Sequence, residues 1–301
     1  MKLRATHYIL LNRKSGTAGE PAGNELRDKF EAHGTHAEVV SPSPGDDLER
    51  AARRALADGG KVLVAAGGDG TVNAVAGALI GSGAALAVLP LGTLNHFAKD
   101  LGIPADLDGA IEVACRGQVR EVDVGRVNGR VFVNNSSLGL YPRLVRAREG
   151  VTQRLGRGKW PAFGWAFWQV MVRYPFLDVR VTVNGSERTY RTPVVFIGNG
   201  SYELAGLSLG TRQVLDAGHL SVHIVVSAGR LALLALALRA LVGRLNEASD
   251  FATFTTKHVE IATRHSTIMV ATDGEVSRMP TPLAYESIPG ALAVLVPRRE
   301  G

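Results

Sequence analysis

The chain has 301 residues, a single cysteine, 46% apolar residues and 21% charged residues. This length predicts about two domains, and this composition excludes a disulfide scaffold, a collagen-like chain and a disordered chain. The net charge of +6 is a small excess, which fits either an ordinary arginine-rich surface or an anionic partner such as a nucleotide or a phospholipid surface.

Neither a signal peptide nor a membrane-spanning helix is predicted. The longest apolar run, residues 231–238, ends at Arg239 and is far shorter than the roughly 18–20 residues that a spanning helix needs. Zinc-finger spacing and the aromatic signature of RNA-binding domains are missing, so we expect no nucleic-acid partner. We expect a cytoplasmic protein that touches a membrane only peripherally, at its inner face; a homodimer is left open.

The first 120 residues alternate between strand and helix patterns. Apolar strand patterns are found at residues 6–12, 36–41, 61–66 and 85–90. Helical patterns follow them at 24–32, from Gly45-Asp46-Asp47 to 57, at 72–80 and within 92–101. Because each strand is followed by a helix, this order predicts a mostly parallel sheet covered by helices.

From about residue 121 the pattern changes to antiparallel strands. Asn128-Gly129 and Asn184-Gly185 each separate two strand patterns, and both dipeptides favour a type I′ hairpin turn. Further alternating runs lie at residues 219–226, 258–263, 266–272 and 291–296, and helical patterns lie at 154–174 and 230–247. The change of period predicts a second, β-rich domain that begins near residue 122.

A glycine-rich turn, Gly67-Gly68-Asp69-Gly70-Thr71, joins a buried strand to a helix. Glycines let backbone N–H groups approach a phosphate, and a helix N-terminus favours negative charge. Asp69 beside phosphates would hold a cation or accept a proton, which are both roles in phosphoryl transfer. The turn is neither a P-loop nor a dinucleotide fingerprint, since Asn73 stands where the last glycine is required. The alternative is a tight turn with an incidental aspartate.

Two further polar loops follow predicted strands. Gly92, Thr93 and Asn95 follow the strand at 85–90, and the segment Asn12–Gly16 follows the first strand. Loops at the carboxyl ends of neighbouring parallel strands line one crevice. We therefore expect all three loops to open at the same edge of the sheet.

With these motifs the sequence resembles the diacylglycerol kinase catalytic family, which includes bacterial lipid kinases, sphingosine kinases and ceramide kinases. The turn at 67–71 matches the nucleotide loop of the family, and Leu89–Asn95 matches its second signature. Asn12–Gly16 looks like its N-P-x-S-G motif, with Arg13 in place of proline, and Thr272–Glu275 looks like its late D-G-E motif. The first motif also occurs in NAD kinases, whereas the four motifs in this order are specific.

The resemblance implies an α/β ATP-binding domain over residues 1–122 and an antiparallel β-sandwich that takes the lipid substrate over 123–301. The last 12 or so residues would return to the first domain, and the active site would lie in the cleft between the domains. Glu275 would be the general base, and Asp69 would hold the catalytic Mg²⁺. Nucleotide contacts are implied for Asn12, Lys14, Ser15, Ser41, Gly67, Gly68, Asp69, Gly70, Thr71, Val72, Asn73, Gly92, Thr93 and Asn95.

Three positions depart from the family pattern. His96 stands where many members have an aspartate, and Arg13 replaces the proline of the first loop. In some bacterial members an aspartate of a D-G turn holds a structural Mg²⁺, but here Ala217 takes that place and Asp216 is displaced by one residue. If the aspartate of other members helps to place the metal or the substrate, its replacement by His96 changes the charge of the site. The alternative is that His96 simply begins a helix.

The aromatic segment 158–176 contains all three tryptophans and has cationic flanks. It is a helix packed on the β domain, a wall of an acyl-chain pocket, or an interfacial element with tryptophan and arginine at the depth of the lipid headgroups. Together with the family resemblance, the sequence predicts an ATP- and Mg²⁺-dependent kinase of diacylglycerol or a related lipid alcohol. Two alternatives remain: a kinase of a soluble hydroxyl substrate, as in NAD kinases, and a catalytically weak protein that binds a lipid or a nucleotide.

Overall fold

The computed structural model describes residues 7–11, 23–42, 47–139, 176–202, 204–205, 208–209, 212, 214–226 and 251–298. The helices predicted at 154–174 and 230–247, and the aromatic segment with them, lie outside these residues. The chain divides into two compact units. Unit 1 comprises Met1–Val124 and Ile288–Gly301, and unit 2 comprises Gly125–Ser287.

The described elements alternate between strand and helix up to residue 100; a second helix then follows directly, and the elements after residue 116 are strands. The first ten are β1 (His7–Leu11), α1 (Gly23–Ala32), β2 (Ala37–Val40), α2 (Leu48–Ala57), β3 (Val62–Gly67), α3 (Asp69–Leu79), β4 (Ala85–Pro90), α4 (His96–Asp100), α5 (Leu107–Arg116) and β5 (Gln118–Val127). They are followed by β6 (Arg130–Phe132), β7 (Asn135–Gly139), β8 (Leu177–Val183), β9 (Ser186–Thr192), β10 (Val194–Asn199), β11 (Leu204–Ala205), β12 (Ser208–Leu209), β13 (Leu220–Val225), β14 (Phe251–Thr256), β15 (His258–Thr263), β16 (Thr267–Thr272), β17 (Glu275–Pro280) and β18 (Leu283–Val296).

Unit 1 is built on the predicted parallel sheet, in the order β2-β1-β3-β4, with the C-terminal part of β18 parallel to β4. Its strands are almost continuous apolar runs, as expected for a sheet whose two faces are both covered by helices. Leu11 lies opposite Ala66, and Gly67 lies opposite Pro90. Because the strand order reverses beside β1, the ends of β1 and β3 mark the point where open α/β sheets bind ligands.

Side-chain caps define where two of the helices in unit 1 begin. Oδ1 of Asp47 accepts the N–H of Arg50 at 2.8 Å, at the start that the sequence predicts for α2. Oδ1 of Asp106 accepts the N–H of Gly109 at 2.8 Å and begins α5 in the same way. Each cap of this kind contributes about 1 kcal/mol to helix stability.

Unit 2 is an antiparallel β-sandwich. One sheet has the order β14-β13-β10-β7-β16-β17, and the other contains β9, β8, β15 and the N-terminal part of β18. Apolar side chains from both sheets form one core, which includes Leu138, Ile197 and Val270 from the first and Val181, Ile261 and Tyr285 from the second. The predicted α/β domain followed by a β-sandwich is confirmed.

Two-residue turns connect the hairpins. Asn128 and Gly129 have φ angles of 45° and 85°, and Asn184 and Gly185 have φ angles of 49° and 78°, so both predicted hairpins are confirmed. A third turn of this kind, Asp273-Gly274, connects β16 to β17. None of the helices in the described part of the chain is long and apolar enough to span a bilayer.

Candidate active site

The glycine turn places the start of α3 directly after the end of β3. Gly68 is the N-cap residue of this helix and has no side chain to satisfy the first N–H groups. The first α-helical bond is donated by Val72 to the carbonyl of Gly68 at 3.1 Å, so the N–H groups of Asp69 and Gly70 precede it. A helix that begins in this way has the N–H donors and the partial positive charge that bind phosphate.

The second loop touches the first through the backbone. A Cβ atom on Gly92 would lie 3.1 Å from the backbone nitrogen of Gly68, closer still to its Cα, and 2.8 Å from Oδ1 of Asn95. Real Cβ atoms essentially never approach another atom within 3.0 Å. Only glycine therefore fits at position 92, and the two loops following β3 and β4 lie together as the sequence predicts for one sheet edge.

Asn95 holds the second loop in shape. Its amide nitrogen donates to the carbonyls of Pro90 at 2.9 Å and Gly92 at 2.8 Å, and its Oδ1 accepts the N–H of Gly92 at 3.1 Å. Its backbone has a φ of 50°, a left-handed conformation that asparagine tolerates better than most residues. Since the loop's own backbone uses this amide, the predicted nucleotide contact of Asn95 stays a prediction.

Asp69 connects the two loops. Its carboxylate oxygens accept the N–H groups of His96 and Phe97, each at 3.2 Å. These N–H groups begin α4, and the N-cap residue Asn95 makes no side-chain cap of its own. Asp69, which lies at the start of α3, therefore caps the N-terminus of α4. The bond to His96 uses its backbone, so the histidine side chain at this position does not disturb it.

The remaining residues that are predicted to contact the nucleotide differ in their exposure to solvent. The side chains of Thr71 and Asn73 are 3% and 6% exposed, and Val72 is 2% exposed, because all three lie in the buried first turns of α3. Thr93 is exposed in the second loop, and Ser41 is exposed after the end of β2. Asn12, Lys14 and Ser15 lie outside the described residues. They follow Leu11, the last residue of β1, which lies opposite Ala66 of β3.

The predicted base, Glu275, begins β17 in unit 2, directly after the Asp273-Gly274 turn. Its Oε2 forms an ion pair of 2.7 Å with a terminal nitrogen of Arg130 on β6. Its side chain is 53% exposed, and that of Arg130 is 35% exposed. The carboxylate is thus held in place on one oxygen and accessible to a substrate.

Asp273 fixes the turn before Glu275 from inside the sandwich. Its carboxylate accepts the backbone N–H groups of Val133, Asn134 and Asn135 at 2.7 to 2.9 Å, and its own N–H donates to the carbonyl of Asn135 at 2.9 Å. The buried Arg212 donates to the carbonyls of Val133 and Asn199 and to Oδ1 of Asn134. These contacts attach the turn to the loop before β7.

The buried carboxyl of Asp273 should titrate well above the usual range. Burial raises its pKa to about 6, against the opposing effect of the three N–H groups and of the Arg212 charge. Because this pKa exceeds that of the unfolded chain, the group favours folding most below about pH 4, and this contribution is lost as the pH rises through 6. In an NMR titration its carboxyl carbon, assigned through the amide of Gly274, should show a midpoint near 6; a midpoint near 4 would contradict this burial effect.

The described residues contain no cluster of three or more histidine, cysteine, aspartate or glutamate side chains that could hold a metal ion. Asp216, which stands one residue away from the place of the structural Mg²⁺ ligand, is exposed in the loop before β13. Both metal assignments, Asp69 and Asp216, therefore stay predictions.

Comparison with known proteins identifies the family. The model of the diacylglycerol kinase catalytic domain matches residues 6–127, and that of the YegS C-terminal NAD kinase beta sandwich-like domain matches residues 146–296. A probable lipid kinase YegS-like protein of Chromohalobacter salexigens is 32% identical over 227 residues, which make up 72% of this chain and 70% of the relative. The chain belongs to the diacylglycerol kinase catalytic family. Membership supports kinase activity.

Two further proteins are similar to this chain, one in sequence and one in fold. A diacylglycerol kinase of Staphylococcus aureus is 29% identical over 229 residues, which cover 74% of this chain and 71% of the relative. The crystal structure of a diacylglycerol kinase from Bacillus anthracis covers 98% of both chains with a TM-score of 0.70 and 23% identity. This structural likeness shows the fold.

No sequence motif points to Arg130 or Arg212. Arg130 follows the Asn128-Gly129 turn, so its place on a hairpin was predictable, but its pairing with a residue 145 positions away was not. Arg212 has no local motif at all; its role follows from the backbone carbonyls that converge on it.

Proposed function

We propose that this protein is an ATP-dependent lipid kinase that transfers the γ-phosphoryl group of ATP to the hydroxyl of diacylglycerol or a related lipid alcohol. The observation that carries the proposal is the junction of the two loops after β3 and β4, where Gly68 and Gly92 meet backbone to backbone. Side-chain-free backbone at a helix N-terminus suits a triphosphate, which needs several N–H donors at close range.

The reaction needs a base for the acceptor hydroxyl, and we assign this role to Glu275. The hydroxyl oxygen forms a bond to the γ-phosphorus while its proton passes to the carboxylate. The bond between the γ-phosphorus and the oxygen that bridges to the β-phosphate breaks, and ADP leaves. Positioning and charge stabilisation supply most of the catalysis in such transfers.

A magnesium ion fits the residues present. Mg²⁺ usually binds through one or two carboxylates together with substrate phosphates and water, so a cluster of three protein ligands is not required. Asp69 is the carboxylate beside the proposed phosphate site, and its position is fixed by the bonds that its oxygens accept from the N–H groups of His96 and Phe97. Bound there, the ion would neutralise charge on the phosphates.

Two observations favour a lipid as the acceptor. The relatives in Chromohalobacter salexigens and Staphylococcus aureus are named as a probable lipid kinase and a diacylglycerol kinase. A surface with an excess of positive charge would also be attracted to an anionic membrane. Peripheral binding to the membrane, at its cytoplasmic face, therefore forms part of the proposal. The competing candidate is a soluble hydroxyl substrate, because the matched C-terminal domain is described as NAD kinase beta sandwich-like.

A transfer assay separates these possibilities. We expect γ-labelled ATP with Mg²⁺ to label the lipid extract of phosphatidylcholine vesicles that contain diacylglycerol, and not that of vesicles without it. In parallel reactions NAD should stay unlabelled. Label on NAD alone would identify a soluble-substrate kinase, whereas ATP binding without any labelled product would identify a binding protein; either result refutes the proposed function.

A further inference from the structure

We propose that Arg130 is the positioning residue of the catalytic base, which it holds and electrostatically supports through the ion pair with Glu275. This inference rests on the proposed function. The contact of 2.7 Å joins a terminal guanidinium nitrogen to Oε2 of the glutamate. It leaves Oε1 without a bond to any described residue, so one oxygen is held while the other is available for a proton.

Arg130 lies on a hairpin that is anchored to the end of the glutamate's strand, β17, and to the following strand, β18. The hairpin turn begins at Asn128, whose amide nitrogen donates to the carbonyl of Pro280 at 2.9 Å, the last residue of β17. Its Oδ1 accepts the N–H of Ala284 at 2.8 Å, and its backbone N–H donates to the carbonyl of Ala284 at 3.1 Å. One of these bonds attaches the β5–β6 hairpin to the end of β17, the strand that Glu275 begins, and the other two attach it to β18.

The glutamate is also fixed from the other side. The Asp273-Gly274 turn directly before it is bound by the N–H groups of Val133 to Asn135, through the carboxylate of Asp273. The backbone at residue 275 therefore has little freedom, and the orientation of its side chain depends on the contact with Arg130. A base must be oriented within hydrogen-bond reach of the proton that it takes.

The charge of Arg130 serves the same step. A carboxylate that works beside the γ-phosphate of ATP is repelled by the negative charge of the phosphate oxygens. An arginine stays protonated at every relevant pH, and its planar group can donate to the carboxylate while its remaining N–H groups face other acceptors. The guanidinium of Arg130, 2.7 Å from Oε2, offsets the negative charge of the carboxylate that would take the proton.

The same hairpin provides a matched control. Arg126 on β5 forms an ion pair of 2.6 Å with Glu286, and the two side chains are 39% and 34% exposed. The Arg130–Glu275 pair is similar in length, with side chains 35% and 53% exposed. Surface ion pairs of this kind contribute little to stability. A merely structural role for Arg130 therefore predicts the same consequence for the loss of either arginine.

The experiment measures kcat and the KM for ATP of the full-length protein with diacylglycerol in phosphatidylcholine vesicles. For Arg130→Met we expect kcat to fall about 10- to 100-fold, which corresponds to one lost charge-assisted hydrogen bond, with the KM for ATP unchanged. Arg130→Lys should recover part of the loss, because lysine keeps the charge without the planar geometry. Arg126→Met should keep the wild-type kcat.

A double variant decides whether Arg130 acts through Glu275. In a Glu275→Gln background, Arg130→Met should lower kcat by less than about threefold, because the step that it supports is already lost. An unchanged kcat in Arg130→Met alone, an equal loss in Arg126→Met, or a full further loss in the double variant would each overturn the inference. Failure of the proposed function is a different result, in which the wild-type protein labels no lipid.

Discussion

Replacing Glu275 by glutamine is expected to lower kcat for lipid phosphorylation by about 10²- to 10⁴-fold, the usual contribution of a general base. Glutamine has nearly the same size, and its carbonyl oxygen can still accept a bond from Arg130, so the hairpin should keep its structure. The amide cannot take a proton from the acceptor hydroxyl. The KM for ATP should change little, because the proposed phosphate contacts lie in residues 67–71 and 92–93.

Glu286→Gln is the control for this substitution, since Glu286 has a similar ion pair with Arg126. We expect it to retain wild-type turnover in the same vesicle assay, and circular dichroism should show that both variants are folded. Full turnover in Glu275→Gln would mean that another group accepts the proton, and the assignment of the base would then be wrong.

Replacing Gly92 by alanine is expected to weaken ATP binding by about 100-fold or more. The new methyl group would lie 2.8 Å from Oδ1 of Asn95 and 3.1 Å from the backbone nitrogen of Gly68, and closer still to its Cα. Since backbone cannot rotate away as a side chain can, the two loops must separate. A misplacement of about 1 Å in a site that positions reacting groups can cost on the order of 100-fold in rate, and we expect a loss of the same order in ATP affinity. Calorimetric titration with ATP measures the effect directly.

The control for this prediction lies in the same unit. A Cβ on Gly77 in α3 would have its nearest neighbour, the carboxyl carbon of Glu49, at an ordinary distance of 3.7 Å. Gly77→Ala should therefore bind ATP normally and should stabilise the helix by about 1 kcal/mol. If Gly92→Ala bound ATP as tightly as Gly77→Ala, the loop junction would not be the nucleotide site.

Local sequence signals were sufficient to predict most of the fold. Helices α1 to α4 follow from apolar periodicity and caps such as Asp47, whereas α5 was not predicted. The hairpins at Asn128-Gly129 and Asn184-Gly185 follow from the turn that these dipeptides strongly favour. Each signal lies within a few residues of its effect, so no long-range information was needed.

The longest strand shows where local signals end. The sequence predicts a strand at 291–296, but β18 runs over Leu283–Val296 and passes through Pro289 and Gly290. Those two residues usually interrupt a strand. The carboxylate of Asp123 accepts the N–H of Gly290 at 2.9 Å and satisfies the backbone at this irregular point. That partner is 167 residues away in the chain and cannot be read from the pattern.

The candidate site was predictable in its residue types and not in its connections. The turn at 67–71 and the loop at 89–95 stand out because glycines occur between strand and helix patterns. Nothing local shows that Asp69 caps α4 or that the amide of Asn95 binds its own loop. These contacts depend on which strands are neighbours, so they became visible only in the folded sheet.

The most direct test of the account is a crystal structure with a non-hydrolysable ATP analogue and Mg²⁺. We predict that the phosphate oxygens accept backbone N–H groups at the start of α3, among residues 68–71, at about 3 Å, with the second loop at 92–93 beside them. A nucleotide bound elsewhere, with the N-terminus of α3 facing no phosphate, would contradict the account.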